Sequence, residues 1–111
     1  MGGRGGLPGG WPQRVWPAPE FEYDPRKSKL NKSKHGIDFE TAKDLWDDPL
    51  GFDVAAGHWS EVRFTRLARL GGKVYAAVWT PRGEVIRLIS VRRAIQEEVH
   101  RYRGGNRRTG I

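Results

Sequence analysis

The chain has 111 residues, a formal charge of +7, a pI near 10.2 and no cysteine. That length supports one domain with a modest core, and the composition excludes disulfides and thiolate metal sites. No apolar run reaches membrane length and MGGRGGLPGGWPQRVWPAPE lacks an apolar h-region, so neither a spanning helix nor a secretory signal is expected. The absence of cysteine is compatible with work in the cytoplasm, and the basic balance suggests a polyanionic partner.

Residues 1–19 are rich in Gly and Pro without periodicity and read as a disordered arm, with Trp11 and Trp16 unusual there. Residues 20–103 make the expected domain. Phe21-Glu22-Tyr23 alternates as a short strand. Asp24-Pro25 is a helix start, with Asp as N-cap and Pro at the first helical position. The helix should run to His35, with Gly36 as its C-cap. Its cations, Arg26, Lys27, Lys29, Lys32 and Lys34, spread around the circumference, and Leu30 is its sole large aliphatic residue. Asp38 caps a second helix, Phe39 to Trp46. Phe39, Ala42 and Trp46 form its apolar stripe, while Glu40, Asp44 and Asp47 face water. Asp47-Asp48-Pro49 ends it.

Leu50 to Val54 reads as a strand, Ala55 to Ser60 as a loop and Val62 to Leu70 as the next strand. Gly71-Gly72 is a two-residue hairpin signal. Flanked by Leu70 and Lys73, it sets Phe64 opposite Trp79, Arg66 opposite Ala77 and Ala68 opposite Tyr75. A second hairpin spans Lys73 to Arg93. Val74, Ala76 and Val78 alternate with Tyr75, Ala77 and Trp79; Thr80-Pro81-Arg82-Gly83-Glu84 supplies the turn; Val85 to Val91 resumes the strand. Closing that turn at Thr80 and Glu84 sets Val78 opposite Ile86, Ala76 opposite Leu88 and Val74 opposite Ser90. The aliphatic face so formed should be core. Tyr75, Trp79, Arg87 and Val91 then form the face turned to water or to nucleic acid. Together the two registers put Arg66, Ala77 and Arg87 in one row.

Ala94 to Arg103 closes the domain as a helix, with Ala94, Ile95, Val99 and Tyr102 inward and Glu97, Glu98, Arg101 and Arg103 outward. Gly104-Gly105 should stop it, leaving 104–111 as a disordered basic tail. The sum is an α+β domain: a short N-terminal strand, two helices, an antiparallel meander of three to four strands and a C-terminal helix.

From Glu20 to Ser60 six Lys/Arg stand against nine Asp/Glu, and from Glu61 to Arg103 ten stand against four. An acidic first half and a basic second half suit two partners of opposite charge. His35, His58 and His100 lack the short helical spacing of a zinc site. No glycine loop leads into Lys-Ser/Thr, and no serine-nucleophile motif occurs, so neither a metal nor another cofactor is expected. What remains is a set of arginines on a sheet, the Lys34-His35 pair and several aromatic residues. That inventory suits cleavage of RNA by its own 2′-OH. The reaction needs a base for the 2′-OH, an acid for the leaving 5′-oxygen and fixed positive charge on the phosphorane. The guanidinium fork fits the last task.

FEYDPRKSKLNKSKHGIDFETAKDLWDDP and VRFTRLARLGGKVYAAVWTPRGEVIRLISVRRAIQEEVHRY resemble BrnT-type toxins of bacterial type II toxin–antitoxin modules, over roughly Glu20 to Tyr102. The resemblance is carried by F-E-x-D at Phe21 to Asp24, N-x-x-K-H-G at Asn31 to Gly36, F-E-x-A at Phe39 to Ala42 and D-P at Asp48-Pro49. It continues through R-F at Arg63-Phe64, T-x-R-G at Thr80 to Gly83 and I-R-x-I-S-x-R-R at Ile86 to Arg93. Leu67-Ala68 stands where the family commonly has I-G. The resemblance implies a RelE-like fold and a metal-independent endoribonuclease that arrests translation. It also implies a cognate BrnA-like ribbon-helix-helix antitoxin, through which alone the toxin would reach DNA. Lys34 and His35 match the family's K-H pair, Arg63 its strand arginine, and Arg87 and Arg92 those of its last strand. We expect His35, Lys34, Arg63 and Arg92 to be catalytic, and Arg66, Arg87, Tyr75 and Trp79 to bind RNA.

Plainer roles stand beside these. His35 also fits a helix end where the dipole favours a cation. The arginines would also pair with Glu61, Glu84, Glu97 or Glu98, and Tyr75 and Trp79 would also pack under the arm or a helix. A small RNA- or ribosome-binding module without chemistry would use the same basic sheet.

Overall fold

The computed structural model describes residues 19–57 and 60–109. Trp11, Trp16, His58 and all of the expected N-terminal arm except Pro19 lie outside them. The elements are β1 (Glu20–Glu22), α1 (Pro25–His35), α2 (Phe39–Ala42), a 3-10 turn (Lys43–Asp47), β2 (Phe52–Ala55), β3 (Phe64–Leu70), β4 (Lys73–Arg82), β5 (Val85–Arg93) and α3 (Gln96–Thr109). The strands form one sheet in the order β1-β5-β4-β3-β2. The last four strands are the antiparallel meander, and β1 joins β5 in parallel, Phe21 opposite Ile86. The α+β class is as the sequence pattern indicates. Among the described residues no helix is long and apolar enough to cross a membrane.

Local chemistry accounts for the helix ends. Asp24 Oδ1 accepts from the Arg26 N–H at 2.9 Å, and Pro25 opens α1. Gly36 closes it at φ 78, a left-handed value that favours glycine, and its N–H bonds the Lys32 carbonyl at 2.8 Å. Asp38 Oδ1 caps α2 through the Thr41 N–H at 2.8 Å. The expected second helix is therefore present, but it tightens into a 3-10 turn after Ala42. Leu45, one residue outside the expected stripe, becomes fully buried.

Both faces of the sheet are covered. On one, α1, α2 and the 3-10 turn pack Ile37, Phe39, Ala42 and Leu45 against Ala68, Ala77, Leu88 and Val91. On the other, Tyr102 of α3 joins Leu67, Val74 and Ala76, with Phe52, Ala94 and Val99 at the margin. This corrects the expectation of one aliphatic core face. Tyr75 and Trp79 lie against the first core, and the small Val74–Ala76 face takes α3.

The β3–β4 register is the expected one, with Phe64 opposite Trp79, Arg66 opposite Ala77 and Ala68 opposite Tyr75. The β4–β5 register is not. The turn contracts to Gly83-Glu84, with Arg82 opposite Val85 and Gly83 at φ 61. Pro81 thus lies inside β4, beyond the start of β3, where its missing N–H costs no ladder bond. A bulge follows: Trp79 pairs with Leu88 but Val78 with Ser90, leaving Ile89 as the extra residue. Leu88 and Ile86 consequently face the helices with Trp79, and the row through Arg66 and Ala77 ends on Val91 instead of Arg87.

Two further expectations are corrected at the C-terminus. Gly104-Gly105 does not stop α3, which continues to Thr109 through most of the expected tail. Ile95 precedes the helix and is 56 % exposed, so it is not part of the inward stripe.

Candidate functional site

Asn31 is the joint around which the candidate residues are placed. β1 spans only Val85–Arg87 of β5, so the rest of that β5 edge has no neighbouring strand. There the buried Asn31 side chain takes a strand's part. Its Nδ2 donates to the Val91 carbonyl at 2.7 Å and its Oδ1 accepts from the Val91 N–H at 3.1 Å. Nδ2 also donates to the Ile37 carbonyl at 2.8 Å, which fixes the chain just after α1. Ser28, one turn earlier, accepts from the Phe39 N–H at 2.8 Å. These two polar residues are what α1 buries.

The last turn of α1 is thereby held beside the end of β5. Lys34 and His35 lie three and four residues past Asn31, about 5–6 Å along the axis, and both are exposed. Arg92 follows Val91 directly. Its guanidinium makes two hydrogen bonds to Glu98, Nη1 to Oε1 at 2.8 Å and Nη2 to Oε2 at 3.0 Å. Glu98 Oε1 also accepts from the Ile95 N–H at 3.0 Å. The bond from Arg92 is the main reason the Glu98 carboxyl titrates below its usual range, and Glu98 in turn raises Arg92. Lys34 and His35 thus end α1 on one face of the sheet near the end of β5, while Arg92, opposite Ala76 and paired with Glu98 of α3, turns to the other face.

Arg63 does not join them. β3 and β5 run in the same direction, and Arg63 precedes β3 while Arg92 stands near the end of β5. Arg92 is level with Leu67, four residues beyond Arg63, so about 13 Å of strand separates the two levels. Arg63 pairs with Glu61 at 3.0 Å, near the level of Thr80 and Arg87. Arg87 pairs with Glu22 across the parallel β1–β5 contact at 2.9 Å.

The other expected RNA-binding residues lie on the face covered by α1, α2 and the 3-10 turn. Arg66 has a side chain only 12 % exposed, with Nη1 donating to Asp53 Oδ2 at 2.7 Å and its guanidinium 5.1 Å from the Trp46 ring centre. Trp79 Nε1 donates to the other oxygen of Asp53 at 2.9 Å. Its ring stacks on Phe64 at 5.0 Å and meets Trp46 edge-on at 6.0 Å. Tyr75 packs against the same core. All four candidate arginines therefore hold carboxylates. The pairing of Arg63 and Arg92 with Glu61 and Glu98 follows the plainer reading, whereas Glu22 and Asp53 were not foreseen as partners.

Sequence reasoning also missed Asn31 and the inward turn of Glu98. The signal for Asn31 was present: it opens the N-x-x-K-H-G run and is a short polar residue in a helix with no apolar stripe. Glu98 stands three residues after Ile95, the spacing at which an acidic side chain reaches back to a helix's first free N–H.

The chain is thus a small α+β domain with an exposed Lys-His pair at the end of α1 and an Arg92–Glu98 fork at the end of β5. The family model for the ribonuclease toxin BrnT of type II toxin–antitoxin systems matches residues 23–98, and the chain belongs to that family. A search of curated proteins finds no match.

Proposed function

We propose that the chain is the toxin of a type II pair that cuts RNA through attack of a 2′-OH on the adjacent phosphate, with no metal required. The observation that carries this is the Asn31–Val91 clamp, which sets Lys34 and His35 beside the strand that bears Arg92. In this reading Arg92 holds the non-bridging phosphate oxygens as negative charge grows on them. His35, or Lys34 beside it, serves one proton transfer. The 2′-oxygen loses its proton and bonds to phosphorus; the bond to the 5′-oxygen breaks and that oxygen takes a proton. The products are a 2′,3′-cyclic phosphate and a 5′-hydroxyl. Arg63 and Arg87, at the other end of the sheet, would touch the same RNA farther along, and the ring faces of Tyr75 and Trp79 are left out of this reading.

Metal independence is read from the residues: among those described, no three His, Cys, Asp or Glu side chains are grouped as a metal site. The cell-level reading is arrest of translation in the cytoplasm, relieved by a BrnA-like ribbon-helix-helix antitoxin that carries the pair to DNA. The test is incubation of the purified chain with RNA in EDTA, followed by end-group analysis. Cyclic or 3′-phosphate ends support the mechanism, and a need for Mg²⁺ or 5′-phosphate ends removes it.

A further inference from the structure

The last turn of α1 holds Lys32, Lys34 and His35, where the dipole favours cations, but Arg26, Lys27 and Lys29 in its first half have no such explanation. PRKSKLNKSKH carries five Lys/Arg and His35 with no Asp or Glu, and its first turn, where the dipole favours an acid, has none. All six of these side chains are exposed. Arg26 and Lys29, and Lys29 and Lys32, stand three residues apart on one side, a spacing at which like charges repel. The other helical segments mix acids with their cations. Glu40 bonds Lys43 at 2.9 Å, and α3 opens with Glu97 and Glu98. On α1 the one ion pair among the described residues is Arg26 with Asp24 at 3.9 Å, on a side chain 92 % exposed, and Asp24 is already the N-cap. In the middle of the cations Leu30 is 63 % exposed. The candidate arginines Arg63, Arg66, Arg87 and Arg92, by contrast, are each matched to a carboxylate.

We propose that the outward face of α1 is a docking surface for the sugar–phosphate backbone of an RNA strand, which it leads to the Lys34–His35 end of the helix. This rests on the proposed RNA-cutting function and adds a second contact region to it. A rigid cationic helix about 16 Å long attracts a polyanion along its length without reading its sequence. Leu30 gives a ribose or base an apolar surface among the charges. The self-repulsion of the helix is relieved when phosphates bind, and that relief is what the bare helix lacks.

The test is a triple variant, Arg26→Gln with Lys27→Gln and Lys29→Gln, which leaves Lys34 and His35 in place. Binding of an unstructured RNA oligonucleotide is measured across a salt series, with single-turnover cleavage at saturating RNA and a melting curve. Three lost phosphate contacts should flatten the slope of log K against log salt by about 2. Affinity should fall, cleavage at saturation should hold, and melting temperature should stay or rise as repulsion is removed. Unchanged affinity and slope in a folded variant overturn the proposal. So does a loss confined to binding of the antitoxin, which would assign the face to a protein partner. Should the wild-type chain bind RNA without cutting it, a loss of binding in the variant would still support the docking face while removing the proposed cleavage.

Discussion

Arg92 and Glu98 meet as a matched fork, two hydrogen bonds of 2.8 and 3.0 Å between guanidinium and carboxylate. A phosphate presents the same pair of oxygens to an arginine. Glu98 therefore occupies the position that the proposed substrate needs, and it also ties the end of β5 to the start of α3 through the Ile95 N–H. Replacing each partner should have opposite consequences. Arg92→Ala should lower the cleavage rate about a hundred- to a thousandfold, roughly 3–4 kcal/mol of barrier, with a much smaller loss of RNA affinity. Glu98→Ala should raise RNA affinity because Arg92 is released, at a stability cost of about 1 kcal/mol from the lost cap. Cleavage rate, affinity and a melting curve on both variants decide it. Equal falls in rate and affinity for Arg92→Ala would make that residue a binder and favour an RNA-binding module without chemistry.

The clamp at Asn31 predicts a separation between stability and rate. Asn31→Ala leaves the Val91 N–H and carbonyl and the Ile37 carbonyl short of a partner, and should cost roughly 3 kcal/mol. Ser28→Ala removes the other buried polar contact of α1 but does not touch β5. At a temperature where both variants are folded, only Asn31→Ala should slow cleavage at saturating RNA, because it alone frees the Lys34–His35 turn from the Arg92 strand. Equal rates for the two would mean that Asn31 holds structure and positions nothing.

Several parts of this arrangement could be read directly from residues. Asp24-Pro25 and Gly36 mark the ends of α1, because caps are local chemistry, and Gly71-Gly72 sets the β3–β4 register, because two glycines between strands leave few turns open. The β4–β5 register could not be read in this way. Pro81 looked like a turn residue, yet it fits the end of a strand whose neighbour has already stopped, and nothing in the alternation of Val85 to Val91 marks the bulge at Ile89. That slip is enough to move Leu88 to the other face and to take Arg87 out of the row with Arg66. The two-sided burial was hidden for a related reason. Alternation shows that a strand has two faces, but Tyr75 and Trp79 suit a helix-covered core as well as a nucleic-acid surface.

The alkaline limb of stability should report on Tyr102. Its hydroxyl donates to Asp48 Oδ2 at 2.7 Å from a side chain only 4 % exposed as a residue. Burial first, then that bond, push its pKa from 10.0 up to about 12. The protonated phenol is thus favoured in the folded chain. Its contribution is fully present below pH about 10 and is lost as pH rises toward about 12. Denaturant melts from pH 9 to 12 should show this decline, and Tyr102→Phe should flatten it while lowering stability at neutral pH by about 1 kcal/mol. An unchanged alkaline slope in Tyr102→Phe would place the effect elsewhere. Asp48 should remain ordered in that variant, since it also accepts from the Arg69 and Leu50 N–H groups at 2.8 and 3.0 Å.

His35 provides the sharpest division between an enzyme and a binder. It stands exposed at the end of α1, where a cation favours the helix dipole, so its removal should change folding by well under 1 kcal/mol. A proton transfer is worth about 10²–10⁴-fold in rate. His35→Ala should therefore abolish most cleavage in EDTA while RNA affinity and melting temperature stay near wild type, because the remaining cations still supply the salt-dependent attraction. Growth of a bacterial strain expressing the variant should recover in step with the lost rate. Full cleavage by His35→Ala would pass the role to Lys34, and Lys34→Ala measured in the same assay would then have to show the fall; if neither variant is slowed, Lys34 and His35 take no part in the proton transfers and the proposed site is wrong.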